Sequence, residues 1–403
     1  MEMRDRRRTA ARGRWALWMG STSWGLSTSK PKLLAYALFS APYSFVVFLL
    51  PFYVFEVGGD KAAVGISFAM YALAIVVFRP AAGWLADVVG RRVTNIAGGV
   101  ALAVAMAILG ISTELSHIYT ALFLAGVGSS LINVAMIAYV SDVGGLENPT
   151  LYSKMRIAAA LGAVGGGFSI PAAYVLSKAW GYAAAFKALA VAMSLTTVVA
   201  LALVPEETAR LALRHKSGDV AAAFCITAMG FFIGAATGVY GPQILPYIYA
   251  KFSLSPFAAV LVYLPAVVAW LIGPKLARPT ALSAIIGGAL MSAALVAMYH
   301  SPNPALFSAV WLAESLGIAI VSTSLDQALS RHVKGAYWGR GYGVYQSVYN
   351  MGYALGAAAS GFLPNPFYTA LLPLVAFFAL AAICQGSRRI SPTGSPAPRL
   401  GLG

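Results

Sequence analysis

The sequence predicts an all-α polytopic membrane protein, and its composition and the length of its apolar runs carry that prediction. Of its 403 residues, 59% are hydrophobic and 10% are charged, whereas soluble domains carry about a quarter charged residues. Apolar runs of roughly 20 residues recur along the chain, and each is long enough to cross hydrocarbon as a helix. The runs are continuous and too long for barrel strands. We therefore expect helices embedded in a lipid bilayer.

Twelve such runs are predicted to form twelve transmembrane helices, which we call spans 1 to 12. The first six are expected at 33–55, 62–85, 93–112, 117–141, 151–177 and 181–204. The second six are expected at 221–250, 255–273, 281–299, 305–329, 338–363 and 366–386. The polar stretch between them is interpreted as a linker. The predicted layout is a basic tail, a six-helix half, the linker, a second six-helix half and a second tail, at 1–32, 33–204, 205–219, 220–386 and 387–403.

The distribution of lysine and arginine predicts the orientation. Basic residues are concentrated in the amino-terminal tail and in the connections expected on its side, while the opposite connections hold only Lys61, Lys178, Lys187 and Lys251. By the positive-inside rule both termini are cytoplasmic, and we expect a multi-pass protein of the cell membrane. The net charge of +15 does not indicate a nucleic-acid partner, because the basic residues lie in short segments between spans.

The junction between spans 2 and 3 concentrates charge at the membrane surface. It runs from Gly83 to Arg92 and includes Asp87, Gly90 and Arg91. Charges at such a boundary are costly unless they are paired or reach the headgroups. The stretch resembles the signature of the major facilitator superfamily of secondary transporters, Gly-x-Leu-Ala-Asp-(basic)-x-Gly-Arg-(basic). One position departs from it, since Val88 stands where the family usually has a basic residue.

This resemblance implies two parallel six-helix repeats that move a small solute by alternating access, usually as a monomer. It also implies a cytoplasmic gating network in which Asp142, at the end of span 4, pairs with Arg91. Asp87 is expected either to pair with Arg91 or Arg92 or to face the positive amino-terminal end of span 11. Gly83 and Gly90 complete the predicted gating set.

Glu314 is the candidate for proton or substrate chemistry. It has apolar sequence on both sides for several turns of span 10. An ionisable residue inside a membrane is a functional-site hypothesis by default. Glu314 is expected to carry a coupling proton or to balance a cationic substrate; the alternative is a hydrogen-bonded carboxyl group that serves packing.

Polar and aromatic side chains recur at helical spacing and predict a substrate cavity. On span 11 they occupy one face, which lipid would penalise, so that face should line a cavity or another helix. The resemblance places spans 1, 4, 7 and 10 around a central cavity. Together these arguments select Tyr36, Tyr43, Asn133, Tyr240, Gln243, Gln346, Tyr349 and Asn350.

Glycines at four-residue spacing indicate close helix approach. They are Gly230, Gly234 and Gly238 on span 7, Gly162 and Gly166 on span 5, and Gly352 and Gly356 on span 11. On spans 5 and 11 they are interpreted either as the place where the two halves meet and rock, as the resemblance suggests, or as ordinary packing.

The sequence contains no phosphate loop, zinc-ligand spacing or nucleophile with its base, so we expect no enzyme activity, no cofactor and no metal site. Cys225 and Cys384 are expected to be small core residues without a disulfide. The favoured function is export of lipophilic or cationic compounds with protons as the coupling ion, since one acid and no arginine is expected deep in the membrane. Uptake or facilitated diffusion of a metabolite, and a receptor on the same fold, stay open.

Overall fold

The structure is a computed structural model, which describes residues 34–35, 37–38, 49–142, 154, 157–159, 161–162, 175, 177–203, 220–332 and 338–386. All regular elements among these residues are helices. Seven helices in the described part are long and apolar enough to cross a membrane: Lys61–Ala86, Arg91–Gly110, Leu115–Ile137, Ala221–Phe252, Ala281–His300, Pro304–His332 and Pro366–Cys384. An all-helical polytopic membrane protein is thereby confirmed. The count of twelve spans and the division into two bundles stay predictions.

The helices coincide with the predicted spans. Spans 2, 3, 4 and 6 are the helices Lys61–Val88, Arg91–Gly110, Leu115–Asp142 and Tyr182–Leu203. Span 7 runs from Val220–Tyr240 through a 3-10 turn, Gly241–Gln243, into Ile244–Phe252. Spans 8 to 11 are Pro256–Leu276, Ala281–His300, Pro304–His332 and Trp338–Ser360, and span 12 comprises Pro366–Thr369 and Leu371–Gly386. Spans 1 and 5 are described only in part; the linker, both tails, Tyr36, Tyr43 and Gly166 lie outside the described residues.

Side-chain caps explain where several spans begin. The Asp60 carboxylate accepts a hydrogen bond from the Ala63 amide at 2.8 Å at the start of span 2. Ser255 caps span 8 and Thr280 caps span 9 in the same way. Each cap satisfies an amide that the first turn of a helix leaves without an internal partner. These short polar residues therefore set the ends of long apolar helices.

A pair of facing glycines occurs in each half of the chain. A Cβ placed on Gly98 of span 3 would lie 2.8 Å from the carbonyl oxygen of Gly128 on span 4, and one on Gly128 would lie 2.7 Å from that of Gly98. Gly287 of span 9 and Gly317 of span 10 repeat this contact at 2.8 and 2.7 Å. Each glycine of the second pair follows its counterpart in the first pair by the same number of residues. This repeat was not predicted, although the equal spacing is visible in the sequence.

Span 11 packs between span 7 and span 2. A Cβ on Gly234 or Gly238 of span 7 would meet the carbonyl oxygen of Tyr349 or Tyr353 of span 11. Reciprocally, Gly352 faces the carbonyl oxygen of Phe231. Gly162 of span 5 similarly faces the Ala37 carbonyl of span 1. Gly162, Gly234, Gly238 and Gly352 therefore mediate packing within each predicted half, which for the described glycines of spans 5 and 11 is the ordinary-packing alternative.

The contact between spans 2 and 11 joins the two predicted halves and uses other small residues. A Cβ on Gly65 would lie 2.7 Å from Ser360 Oγ and would also meet the carbonyl oxygen of Ala357. Gly361, just beyond span 11, faces the backbone of Ala62. We call the end of the protein that contains Lys61 and Ser360 the Lys61 rim. The opposite end, which contains the turn from Gly83 to Arg92, is the signature rim.

A disulfide joins Cys225 of span 7 to Cys384 of span 12, with their Cα atoms 6.3 Å apart. The expectation of two separate core thiols was wrong. The two cysteines are 159 residues apart, and only the packing of span 7 against span 12 brings them together. That neighbourhood cannot be deduced from the apolar sequence around either cysteine.

Candidate functional site

Glu314 lies inside the helix bundle and is only 3% exposed. The Tyr240 hydroxyl of span 7 donates a hydrogen bond to Glu314 Oε1. The Ser315 hydroxyl donates to Oε2 at 3.1 Å. Tyr263 of span 8 packs on Trp311, about one turn before Glu314 in span 10, with the ring centres 4.7 Å apart. Glu314 is therefore held between spans 7, 8 and 10, where hydroxyl donors or a proton must compensate a charge removed from water.

Tyrosine and threonine hydroxyls continue from Tyr240 towards the first half of the chain. The Tyr353 hydroxyl of span 11 would lie 3.9 Å from a Cβ placed on Gly241, the residue after Tyr240. The hydroxyls of Tyr349 and Thr237 are 3.3 Å apart. Tyr353 and Tyr71 of span 2 pack against the same apolar cluster. Hydroxyl-bearing side chains of spans 2, 7 and 11 therefore lie where these spans meet.

The sequence predicted part of this group. Tyr240 and Tyr349 were in the predicted cavity set; Tyr240 bonds Glu314, and the Tyr349 hydroxyl lies 3.3 Å from that of Thr237, about one turn before Tyr240. Tyr71 and Tyr263 were missed. Their only sequence signal is a tyrosine in the middle of an apolar span, away from the membrane interfaces where tyrosine is enriched.

Arg79 is also buried, at 5% exposure, on the face of span 2 that contacts span 11. Its Nη1 donates to Gln346 Oε1 at 3.1 Å, Gln346 Nε2 donates to the Tyr342 hydroxyl at 3.0 Å, and Asn350 Nδ2 donates to the Gln346 carbonyl oxygen at 2.7 Å. Arg79 and a second acid, Asp326, are both buried, so the expectation of one buried acid and no buried arginine was wrong. Arg79 lies within predicted span 2, more than two turns before the helix ends at Val88.

Gln243 and Asn133 make hydrogen bonds to other residues. Gln243 Nε2 donates to the Lys61 carbonyl oxygen at 3.1 Å and to Ser360 Oγ at 3.0 Å, so it joins spans 2, 7 and 11 at the Lys61 rim. Asn133 Nδ2 donates to the carbonyl oxygen of Ser129 at 2.8 Å, one turn earlier in span 4. Neither hydrogen bond reaches Glu314.

A cavity of about 310 Å³ lies at the Lys61 rim. Of the predicted cavity residues, Gln243 lines it. Its other polar walls come from Lys61, Tyr247, Lys251, Tyr299, Ser360 and Asn365. This cavity could not be predicted from the sequence, because its walls come from the ends of five spans that are distant along the chain.

The signature turn has the backbone expected of a tight connection. Span 2 ends at Val88 and span 3 begins at Arg91. Gly90 between them has φ 113°, a conformation that only glycine adopts readily. A Cβ on Gly83 would meet Val134 Cγ1 at 3.8 Å, which is an ordinary contact. Arg91 and Arg92 are half-buried. The side chains of Asp87 and Asp142 lie outside the described part, so their pairing with Arg91 or Arg92 stays a prediction.

Comparison with known protein families identifies the family of this chain. The sequence model of the Major Facilitator Superfamily matches residues 33–292. The chain belongs to the major facilitator superfamily. The resemblance seen at Gly83 to Arg92 is thereby confirmed, and the protein is a membrane transporter of this superfamily by its family and fold.

A solved structure agrees with the family match. The human organic anion transporter MFSD10 (TETRAN) superimposes with a TM-score of 0.68 at 14% identity, over 89% of this chain and 99% of that one. At this identity the likeness concerns the fold alone. A sequence comparison with curated proteins finds no match. Among the described residues, no group of three or more histidine, cysteine, aspartate or glutamate side chains could hold a metal ion.

Proposed function

We propose that this protein is a secondary active transporter that moves a small organic solute across the cell membrane by alternating access, with Glu314 as the carrier of a coupling proton. The observation that carries this proposal is the buried hydrogen bond from Tyr240 to Glu314, which links span 7 to span 10. The two six-helix halves would be the moving bodies, and the predicted orientation places the Lys61 rim outside and both termini in the cytoplasm.

Protonation of Glu314 would change the strength of this link. An ionised carboxylate accepts a charge-assisted hydrogen bond, which is stronger than the bond to a neutral carboxyl group. Tyr240 belongs to span 7, whose glycine face fits closely against span 11. Span 11 also contacts span 2 of the other half. A contiguous series of packed helices therefore connects the proton site to the contact between the halves.

The charge of the solute is a separate matter. The expectation of lipophilic or cationic compounds rested in part on the absence of a buried arginine, and Arg79 removes that premise. A guanidinium group matches carboxylate and phosphate geometry through paired donors. Arg79 therefore favours a solute with a negative charge as the second candidate, and the organic anion named for MFSD10 suggests the compounds to try first.

The test is flux into vesicles that contain the purified full-length protein. A panel of small organic anions, cations and neutral solutes would be offered with and without an imposed pH gradient. We expect the Glu314→Gln variant to lose gradient-driven accumulation of the solute, because a glutamine side chain cannot take up or release a proton. Exchange of solute between equal concentrations inside and outside the vesicles should continue.

The matched control is Glu114→Gln, which neutralises an exposed acid at the start of span 4. It should leave flux unchanged. Gradient-driven accumulation that survives in the Glu314→Gln variant would show that this carboxyl group serves packing. Solute binding without any flux in the wild type would favour a receptor.

A further inference from the structure

The cavity at the Lys61 rim has two lysines and no acidic side chain among its lining residues. Lys61 contributes one wall from the start of span 2. Tyr247 and Lys251 contribute another from the end of span 7. The remaining walls come from Tyr299 of span 9 and from the connection between spans 11 and 12. The cavity is therefore built from both predicted halves.

Lys251 is held in a defined position without being neutralised. Its Nζ donates to the Tyr247 hydroxyl at 3.0 Å and to the Tyr299 carbonyl oxygen. The same atom lies 5.2 Å from the centre of the Tyr247 ring and 5.7 Å from that of the Tyr299 ring. Carbonyl, phenol and ring orient an ammonium group but carry no net negative charge. The positive charge of Lys251 therefore remains available to a ligand.

Two acids of the first half, Glu56 and Asp60, lie near this rim, but neither lines the cavity. Asp60 keeps its charge while it caps span 2 through the Ala63 amide. On the side of the second half, the connections at 253–255, 301–303 and 361–365 contain no acidic residue. A concave site whose own walls carry positive and no negative side chains concentrates anions.

We infer that this cavity binds the acidic group of a small organic anion, a carboxylate, sulfonate or phosphate, between Lys61 and Lys251. Its volume of about 310 Å³ is at the small end of the range for ligand pockets, which suits one acidic group with a single ring or a short chain. Gln243 and Asn365 on its walls are further polar partners, while Leu363, Pro364 and Pro366 provide apolar contact.

The site also has a conformational consequence, which rests on the proposed alternating access. Gln243 bonds the Lys61 backbone and Ser360, so the cavity lies where spans 2, 7 and 11 are closed against one another. Opening of this rim would move Lys61 away from Lys251 and remove a wall. A ligand that binds only the closed arrangement stabilises it. The bound anion therefore holds the Lys61 rim closed.

The experiment measures binding of 4-fluorobenzoate to the purified full-length protein in phosphatidylcholine nanodiscs, by fluorine NMR line broadening. We expect benzoate to compete and benzamide, its neutral analogue, not to compete. Lys61→Gln and Lys251→Gln should each weaken binding at least about tenfold, the scale of a hydrogen bond to a charged group. Lys251→Arg should retain most of the affinity. Lys178→Gln, at an exposed lysine that does not line the cavity, should leave it unchanged.

Equal affinity in wild type and both lysine-to-glutamine variants would overturn the inference, as would equal competition by benzamide. Binding that is lost in Arg79→Gln but kept in both lysine variants would place the anion at Arg79 and would also overturn it. Competition by phosphatidylglycerol in the nanodisc would support the site and identify a lipid headgroup as a source of the acidic group. The binding assay needs no gradient and no flux, so its result can be interpreted even if the transport proposal fails.

Discussion

Arg79 and Glu314 are 5% and 3% exposed, and each relies on neighbours from another span. The hydrocarbon interior of a bilayer holds almost no water to hydrate these charged groups, so their protein partners determine what they can do. Glu314 receives two hydroxyl donors from spans 7 and 10. Arg79 instead contacts Gln346 across the boundary between the two predicted halves. We interpret the first as a proton site and the second as a contact that an anionic solute would use.

Replacement of Arg79 tests the second interpretation. Arg79→Gln should reduce flux of an organic anion at least about tenfold while changing flux of its neutral amide analogue much less, because a charge-assisted hydrogen bond to the solute is lost. Arg79→Lys should recover only part of the loss, since lysine lacks the planar fork. The measurement is initial uptake of the two solutes into vesicles. Equal loss for both would mean that Arg79 only stabilises the contact with Gln346.

The sequence could predict that Glu314 lies inside the bundle, because no water-exposed segment is near it along the chain. It could not predict which hydroxyls reach it. Tyr240 was selected for its span, whereas Tyr263 was missed because nothing in the sequence shows that span 8 packs on span 10. Arg79 lies within predicted span 2, but the sequence does not show that its side chain is buried against Gln346 of span 11.

At the scale of helices, span 11 shows how a polar helix can be accommodated in a membrane protein. Its polar face was predicted from residue spacing. In the structure Tyr345 and Ser347 are buried, whereas Val344, Met351 and Leu355 are 53%, 42% and 59% exposed. The polar face therefore turns towards spans 7 and 2, and apolar side chains remain for lipid. The sequence predicted the face but not its partners.

Glycine-mediated packing of spans 7 and 11 predicts a stability effect. Gly234→Ala should destabilise the protein by about 1–3 kcal/mol, because the added methyl group meets the Tyr349 carbonyl and overpacks a close interface. Gly343→Ala on span 11 is the control, since its Cβ would lie 3.9 Å from the nearest neighbour, the Arg79 carbonyl oxygen. Thermal unfolding in detergent compares the two. An equal midpoint for Gly234→Ala and wild type would contradict the close approach.

The Cys225–Cys384 disulfide predicts a chemical result. Protein denatured without reductant and treated with an alkylating agent should gain no label, and reduction before alkylation should add two labels in the intact mass. Cys384 is fully buried, which limits the access of a reducing agent to the folded protein. Two labels without reduction would show that both thiols are free.

At the scale of the whole molecule, the equally spaced glycine contacts Gly98–Gly128 and Gly287–Gly317 support two related halves. Alternating access requires that these halves move as bodies about the contact of spans 2 and 11. The predicted gating set at the signature rim would stabilise one arrangement through Asp87 and Arg91. Loss of the Asp87 charge should then favour opening at that rim without altering the residues around Glu314.

Distances across the two rims test the central claim of alternating access most directly. One pair of spin labels, at Glu56 and Phe362, would report the width of the Lys61 rim, and a second pair, at Val89 and Arg331, that of the signature rim. All four positions are exposed. The labels would be introduced through new cysteines in a Cys225→Ser/Cys384→Ser background. Double electron–electron resonance would be recorded at acidic and alkaline pH, with Asp87→Asn for comparison. We expect one distance to lengthen as the other shortens, and Asp87→Asn to lengthen the 89–331 distance. Two distances that stay fixed, or that change in the same direction, would contradict the account.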